Sequence, residues 1–290
     1  MAEPFIRFEG VGFRYPNGVK ALEHLSFAVG EGEAVAVVGA NGSGKSTLAR
    51  LCNGLLIPTE GSVTVASVTI DPGSPGRGRP ADFQAVLADV RRQVAMVFQH
   101  PDNQLVAATV EEDVAFGPEN FALPAPIIRQ RVSDALAAVG LEALRNRAPH
   151  ELSGGQKQLV AIAGALALEP RCLILDEATA MLDPQSARAV METVARLRRE
   201  RGLTVLFITH RMEELAWADR VLALREGRLV ADLPPAELFA RGRQLSAWGL
   251  EPPDTVRLAE SLRERGWALP PVRGGVDELV EAIWRYACRG

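Results

Sequence analysis

The segment Gly39–Thr47, which reads GANGSGKST, constrains the fold of this chain more than any other segment. It follows the short apolar run Ala34–Val38, and helical character begins at Ser46 and continues to Leu55. A strand, a glycine-rich loop and a helix in this order match the pattern G-x-x-x-x-G-K-[ST]. Small residues let several backbone N–H groups approach one anion, and the helix N-terminus adds positive partial charge. The segment therefore predicts a loop that binds a triphosphate.

Two side chains of this loop have predicted roles of their own. Lys45 supplies a positive charge to the β- and γ-phosphates, and the Ser46 hydroxyl is a ligand for Mg²⁺. The alternative is a chance glycine turn before a helix, which the complete GKST after a strand argues against. The residues predicted to bind the nucleotide here are Gly39, Asn41, Gly42, Ser43, Gly44, Lys45, Ser46 and Thr47.

Composition limits the other functions that the chain is expected to have. With 290 residues, 47% of them hydrophobic, it is long enough for one large domain with an appendage. The net charge of −4 argues against a nucleic-acid partner, because nucleic acids bind to positively charged surfaces. Three cysteines, Cys52, Cys172 and Cys288, have neither disulfide nor zinc spacing. We also expect no signal peptide and no membrane-spanning segment.

A pair of carboxylates follows a second apolar run. The segment Cys172–Glu177 reads CLILDE, in which four apolar residues precede Asp176 and Glu177. Ligands of open parallel sheets bind beyond the carboxyl ends of the strands. Asp176 is therefore predicted to hold Mg²⁺ through its water shell, and Glu177 to take a proton from an attacking water. The alternative is two solvated acids at the end of a strand.

The pentapeptide LSGGQ at Leu152–Gln156 has no charged side chain but suits a second anion site. The Ser153 hydroxyl and the N–H groups of Gly154 and Gly155 precede a helix whose dipole attracts an anion. Since one loop already binds the nucleotide within this chain, we expect the second site to cap a nucleotide held by another copy or a partner. The alternative is that Ser153 is simply the N-cap residue and the glycines form a turn.

In this order, the motifs resemble those of the ATPase subunits of ABC transporters, over roughly Phe5–Leu233. The resemblance implies ATP and Mg²⁺ as cofactors, hydrolysis of ATP as the reaction, and closure of LSGGQ on the γ-phosphate of the opposing subunit. It also assigns further residues to the site. These are Tyr15 on adenine, Gln99 on Mg²⁺ and the attacking water, Gln156 as the last residue of the signature, Asp183 across the dimer interface, and His210 on the γ-phosphate.

The fold implied by the resemblance is an α/β P-loop NTPase of ABC type. Its ATPase domain is predicted at residues 1–240, with a parallel core sheet, an antiparallel β subdomain and an inserted helical subdomain at about 100–168. Residues 241–290 form a predicted helical extension that holds the dimer together, with an apolar face on its last helix. The alternative is that these helices pack only on their own domain. Two features depart from the family: Leu159 replaces a usual arginine, and the loop Pro72–Pro80 is longer than usual.

Three stretches narrow the resemblance to the ATPases of energy-coupling factor transporters, which import vitamins or transition-metal ions. They are Phe98–Asn120, Asp176–Pro184 and the tail after Pro252. The partners implied are a second ATPase, identical or homologous, a transmembrane coupling protein and a small integral substrate-binding membrane protein. The chain would then be peripheral, on the cytoplasmic face of the cell membrane. The stretch Asp102–Glu119 is predicted to line the groove for the coupling helix.

Three other classes are less compatible with the sequence. A soluble ABC ATPase acting on DNA or ribosomes would have a coiled-coil insertion or tandem cassettes, and this chain has one cassette without heptads. A P-loop kinase would not need LSGGQ. An ABC importer fed by a soluble substrate-binding protein shares the core motifs and stays open as the alternative. The sequence does not name the cargo.

Overall fold

The computed structural model describes residues 3–73, 80–241, 245, 247–272 and 274–288. Its described strands form two sheets, one of six strands and one of four. The strands are β1 (Ile6–Arg14), β2 (Lys20–Val29), β3 (Ala34–Val38), β4 (Glu60–Val65), β5 (Val68–Ile70), β6 (Val94–Val97), β7 (Cys172–Asp176), β8 (Thr204–Ile208), β9 (Arg220–Arg225) and β10 (Arg228–Leu233).

The six-stranded sheet has the order β10-β9-β3-β8-β7-β6 and is parallel except for β10, which pairs antiparallel with β9. Every residue of β3, β6, β7 and β8 is buried. One face packs against the four-stranded sheet and α1, and the other against helices, so neither face of these strands meets solvent. This double burial explains the apolar runs without alternation. The strands predicted at Ala34–Val38, Cys172–Leu175 and Val205–Thr209 are therefore confirmed, within one residue at their ends.

The four-stranded sheet has the order β2-β1-β4-β5 and is antiparallel throughout. The composition of Phe5–Tyr15 predicts a strand, which β1 confirms. The strand composition of Gly61–Ile70 is confirmed by β4 and β5, which a turn at Ala66 and Ser67 separates so that Val65 pairs with Val68. Ala66 has a φ of +51°, and no glycine or asparagine marks this turn in the sequence.

The described helices surround the larger sheet. They are α1 (Lys45–Cys52), α2 (Pro80–Gln93), α3 (Val110–Asn120), α4 (Ala125–Val139), α5 (Gly154–Leu166), α6 (Pro184–Arg201), α7 (Pro235–Phe239), α8 (Asp254–Glu264) and α9 (Val276–Ala287). Helices α3, α4 and α5 pack on one another, as the predicted helical segment requires. Most of the loop predicted at Pro72–Pro80 lies outside the described residues.

The C-terminal helices α8 and α9 pack against the main core. Val256, Ala259 and Leu279 belong to the same buried apolar cluster as the parallel strands. The predicted apolar face of α9 is only half covered. Its residues at Val276, Val280 and Trp284 are 58%, 59% and 70% exposed. No helix among the described residues is long and apolar enough to cross a bilayer.

Candidate functional site

The predicted triphosphate loop lies between β3 and α1 and packs on the neighbouring strand β9. Gly39 has a φ of +153°, and a Cβ atom there would lie 2.2 Å from the carbonyl oxygen of Leu224. No side chain fits this position, so the loop requires glycine.

The Lys45 ammonium donates to the carbonyl oxygens of Gly39 at 2.9 Å and Ala40 at 3.1 Å. Burial lowers the pKa of Lys45, while the charges of Glu177 and Asp176 act to raise it.

Ser43 is the clearest sign that the loop is shaped for a ligand. The side chain is 4% exposed, and its hydroxyl is buried without a hydrogen-bond partner among the described residues. That hydroxyl would lie only 2.6 Å from a Cβ atom on Gly39, at the centre of the loop. A buried hydroxyl without a partner is unfavourable, so Ser43 is a donor that a phosphate ligand would satisfy.

The predicted magnesium ligands Ser46 and Asp176 meet at the carboxyl edge of the parallel sheet. The Ser46 hydroxyl donates to Asp176 Oδ1 at 2.9 Å. Burial raises the pKa of Asp176, although the hydrogen bond from Ser46 opposes this rise. Hydroxyl and carboxylate oxygens are the ligands that Mg²⁺ takes in nucleotide sites, where phosphates and water complete the shell. Consistently, the described residues contain no cluster of three His, Cys, Asp or Glu side chains that would form an all-protein metal cage.

Glu177 and His210 are 33 residues apart in the sequence but form a hydrogen bond in the fold. Glu177 Oε1 lies 2.8 Å from His210 Nε2. Strands β7 and β8 are neighbours and parallel, so the residues that follow them lie at the same edge. Glu177 has a φ of +53°, which is unusual for a residue other than glycine, and such strain concentrates at functional sites. The two predicted catalytic groups are thus brought together.

Tyr15 and Gln99 are the two remaining predicted residues near the phosphate loop and the sheet edge. The Tyr15 hydroxyl is 3.0 Å from Thr47 Oγ1, and the ring packs edge-on against Phe13 with centroids 4.9 Å apart. Tyr15 therefore lies beside the end of the phosphate loop. Gln99 follows β6, whose carboxyl end belongs to the same sheet edge. The preceding Phe98 N–H donates to Gln104 Oε1 at 3.2 Å, which connects this segment to the helical region.

The LSGGQ segment begins α5 with a reciprocal cap. The Ser153 hydroxyl accepts from the Gln156 N–H at 3.3 Å, and Gln156 Oε1 accepts from the Ser153 N–H at 2.9 Å. The N-cap interpretation is therefore correct as local structure, and it is compatible with an anion site. Ser153 and Gly154 are exposed, and helix N-termini attract anions.

Asp183 caps the neighbouring helix and lies near the LSGGQ segment. Its Oδ1 accepts from the N–H groups of Gln185 and Ser186, each at 3.0 Å. A hydrogen bond from the Ser186 side chain, and then these backbone bonds, lower the Asp183 pKa. A Cβ atom on Gly155 would lie 3.0 Å from the Ser186 Cβ, so the starts of α5 and α6 are in close contact.

The predicted site residues thus form two groups. One contains the phosphate loop with Asp176, Glu177 and His210, and the other contains the LSGGQ segment with Asp183. Among the described residues, no hydrogen bond or ion pair joins the two groups.

The comparison with known families agrees with this arrangement. The family model described as "ABC transporter" matches residues 22–180, which is more than half of the chain. The chain belongs to the ABC transporter family. The match includes the phosphate loop, the LSGGQ segment and the carboxylate pair of this ABC ATPase.

Relatives of this ABC ATPase extend the likeness to its full length. The "Energy-coupling factor transporter ATP-binding protein EcfA1" of Symbiobacterium thermophilum is 49% identical over 297 aligned positions, covering 100% of both chains. The protein of the same name from Geobacillus kaustophilus is 45% identical and covers 98% of each chain.

Solved structures of ABC proteins share the fold. The structure of cbiO1 from Clostridium perfringens, described as part of the ABC transporter complex cbiONQ, has a TM-score of 0.74 and 36% identity, over 85% of this chain and 96% of that one. The ATP-binding cassette MJ0796, solved as a dimer bound to ADP and phosphate, has a TM-score of 0.68 and 30% identity. The match covers 79% of this chain and 98% of that one. The α/β fold of ABC type predicted from sequence is confirmed.

Two features of this ABC ATPase go beyond the predicted site. Leu159, in place of the usual arginine, is partly buried and packs against the main apolar cluster. Thr179 and Glu214 were not predicted, although they form a buried hydrogen bond of 2.6 Å between the loops that hold Glu177 and His210. The sequence signal for them is a second acid in the run THRMEE, which follows β8.

Proposed function

We propose that this chain is the ATP-hydrolysing subunit of an energy-coupling factor importer for a vitamin or a transition-metal ion. The observation that carries this assignment is its identity of 45–49% with energy-coupling factor ATP-binding proteins over 98–100% of both chains, including the C-terminal tail. The chain then works on the cytoplasmic face of the cell membrane, as a peripheral subunit.

Two ATPase subunits, identical or homologous, bind ATP between the phosphate loop of one and the LSGGQ segment of the other. The exposed start of α5 supports this arrangement, because its free N–H groups and helix dipole are accessible to an anion carried by another subunit. Asp183, at the start of α6, lies on the same surface and would contact the facing subunit.

Each residue near the sheet edge has a defined part in hydrolysis. Lys45 and the Ser43 hydroxyl bind the phosphates, and Tyr15 contacts the adenine. Glu177 takes the proton of the attacking water, while His210 and Gln99 stabilise the γ-phosphate. Ser46 and Asp176 would hold Mg²⁺, with Gln99, and the ion when bound supplies charge neutralisation on the phosphates. The contact between His210 and Glu177 fixes the base before the substrate arrives.

A groove of about 310 Å³ beside α3 is proposed to receive a helix of the transmembrane coupling protein. Its rim is apolar and exposed at Leu55 and Phe116, which are 45% and 52% accessible. Gln104 lines the groove and also bonds the backbone of Phe98, next to Gln99. This chain of contacts would transmit movement of the docked helix to the hydrolysis site.

Phe116→Asp is expected to abolish co-purification with the coupling protein, because a charge replaces an apolar contact at the rim of the groove. ATP hydrolysis by the isolated ATPase dimer should stay within about twofold, since exposed substitutions have small effects on the fold. Pull-down and ATPase assays measure the two quantities. Ile127→Asp on α4, at 45% exposure outside the groove, is the matched control. Equal loss with both variants contradicts the groove assignment.

The exposed part of α9 is proposed to hold the ATPase dimer together without nucleotide. Val280→Asp combined with Trp284→Ala should turn the nucleotide-free dimer into monomers, since both side chains are exposed by more than half. Sedimentation velocity measures this directly. Glu281→Ala, which removes the ion pair with Arg285 on the same helix, should leave the dimer intact. An unchanged dimer in the double variant means that the tail packs only on its own domain.

Co-purification from membranes tests the assignment to an energy-coupling factor system. Recovery of a coupling protein together with a small integral substrate binder is the expected result. Recovery of a transporter that is fed by a soluble substrate-binding protein contradicts it and supports the alternative importer class.

A further inference from the structure

A buried carboxylate lies directly behind the hydrolysis residues. Glu214, in the short 3₁₀ helix Met212–Trp217, is 5% exposed. Its Oε1 accepts a hydrogen bond of 2.6 Å from the hydroxyl of Thr179, which is itself 3% exposed. Burying a carboxylate is unfavourable unless its partners are well arranged, so this placement calls for an explanation.

The partners of Glu214 come from the two loops that bear the proposed catalytic groups. Thr179 is two residues after Glu177. Thr209, which directly precedes His210, has a hydroxyl that also stabilises the charged form of Glu214. The same hydroxyl accepts the Arg211 N–H at 2.9 Å. One carboxylate thus contacts the segment after β7 and the segment after β8.

Arg211 extends this connection toward the proposed dimer interface. Its Nε lies 3.7 Å from Glu214 Oε1, and its Nη1 donates to the Leu182 carbonyl oxygen at 3.3 Å. Leu182 directly precedes Asp183. Burial raises the pKa of Glu214, and the bonds from Thr179 and Thr209 and the charge of Arg211 act against that rise. The guanidinium and the two hydroxyls therefore stabilise the Glu214 carboxylate in its buried position.

We propose that Glu214 is a positioning residue for ATP hydrolysis, which fixes the loop of Glu177 relative to the loop of His210 through Thr179 and Arg211. The proposal rests on the roles proposed for Glu177 and His210. Their 2.8 Å contact depends on the spacing of the two loops beyond the ends of β7 and β8, and the bonds of Thr179 and Arg211 hold the same two loops together. A misplacement of about 1 Å at a reacting group costs on the order of 10²-fold in rate, so a buried link between the loops affects the rate without touching substrate.

Thr179→Val is the sharpest test, because it removes the hydroxyl and keeps the shape of the side chain. We expect kcat for ATP to fall about 10- to 100-fold, with ATP affinity changed by less than about threefold because no phosphate ligand is altered. Thr179→Ser restores the hydroxyl and should return kcat to near the wild-type value. The measurements are steady-state hydrolysis and ATP titration of the full-length chain, with the ATPase subunit that pairs with it.

Glu214→Leu provides the second arm, because a leucine side chain cannot accept the hydrogen bond of the Thr179 hydroxyl. It should lower kcat in the same way, and the double variant with Thr179→Val should be no slower than the slower single variant, since both remove one link. Thermal unfolding of each variant is measured in parallel. Wild-type kcat in Thr179→Val overturns the proposal. The proposal is also overturned if Thr179→Ser does not restore the lost kcat. It is overturned as well if kcat, ATP affinity and melting temperature all fall together in Thr179→Val.

The failure of this inference is distinguishable from failure of the proposed function. If Glu177→Gln is inactive while Thr179→Val is fully active, Glu177 keeps its role and only the positioning role of Glu214 is wrong. If Glu177→Gln is active, the catalytic assignment itself is wrong.

Discussion

Glu177→Gln is expected to lower the rate of ATP hydrolysis by about 10²–10⁴-fold, the usual contribution of a general base. Glutamine has the same shape but cannot accept the proton of the attacking water. ATP binding should persist, because Lys45, Ser46 and the loop backbone are unchanged. The variant should therefore accumulate as a closed, ATP-bound dimer, which gel filtration with ATP and single-turnover hydrolysis would detect.

Glu200→Gln is a suitable control, since Glu200 is an exposed acid on α6 in a surface ion pair with Arg196. Hydrolysis in that variant should match the wild type. If Glu177→Gln hydrolyses ATP at a rate near that of the wild type, Glu177 is not the base.

Ser153→Asp is expected to prevent ATP-driven dimer closure and to reduce turnover at least about 100-fold. Aspartate caps a helix as well as serine does, so α5 should stay folded. The added charge would face the γ-phosphate of the opposing subunit. Two like charges about 4 Å apart near a protein surface repel by roughly 4 kcal/mol, which corresponds to about three powers of ten in an equilibrium. ATP-dependent sedimentation and steady-state hydrolysis measure the effect.

Ser153→Asn separates capping from phosphate binding, because asparagine also caps a helix but adds no charge. It should keep the melting temperature and lose much less turnover than Ser153→Asp. Equal activity in the two variants would show that the start of α5 serves only as a helix cap, as in the simpler interpretation of LSGGQ.

The sequence predicts the central sheet and its ligand loop well, because buried parallel strands are read directly from apolar runs. The two strands at Ala34–Val38 and Cys172–Leu175 are predicted without any knowledge of tertiary contacts. The carboxyl ends of those strands then identify Asp176 and Glu177, since side chains that follow parallel strands share an edge. The roles expected of Tyr15, Gln99, Asp183 and His210 instead depend on the resemblance to ABC ATPases.

The features that sequence reasoning missed depend on contacts between distant segments. The left-handed backbone of Glu177 and the turn at Ala66 occur at residues that normally avoid positive φ, so no local signal marks them. The bond between Thr179 and Glu214 joins loops that meet only when β7 and β8 pair. The helical periodicity of α9 gives an apolar face but does not indicate that Trp284 stays exposed in the single chain.

Mixing two differently disabled subunits tests the shared nucleotide site most directly. Lys45→Met loses the phosphate-loop charge but keeps LSGGQ, and Ser153→Asp keeps the phosphate loop. Each variant alone should be inactive in single-turnover hydrolysis. A mixed pair contains one site with an intact loop from one subunit and an intact LSGGQ from the other, so mixing should restore hydrolysis. A mixture as inactive as its components, with the wild-type chain active under the same conditions, would contradict a site built from two subunits.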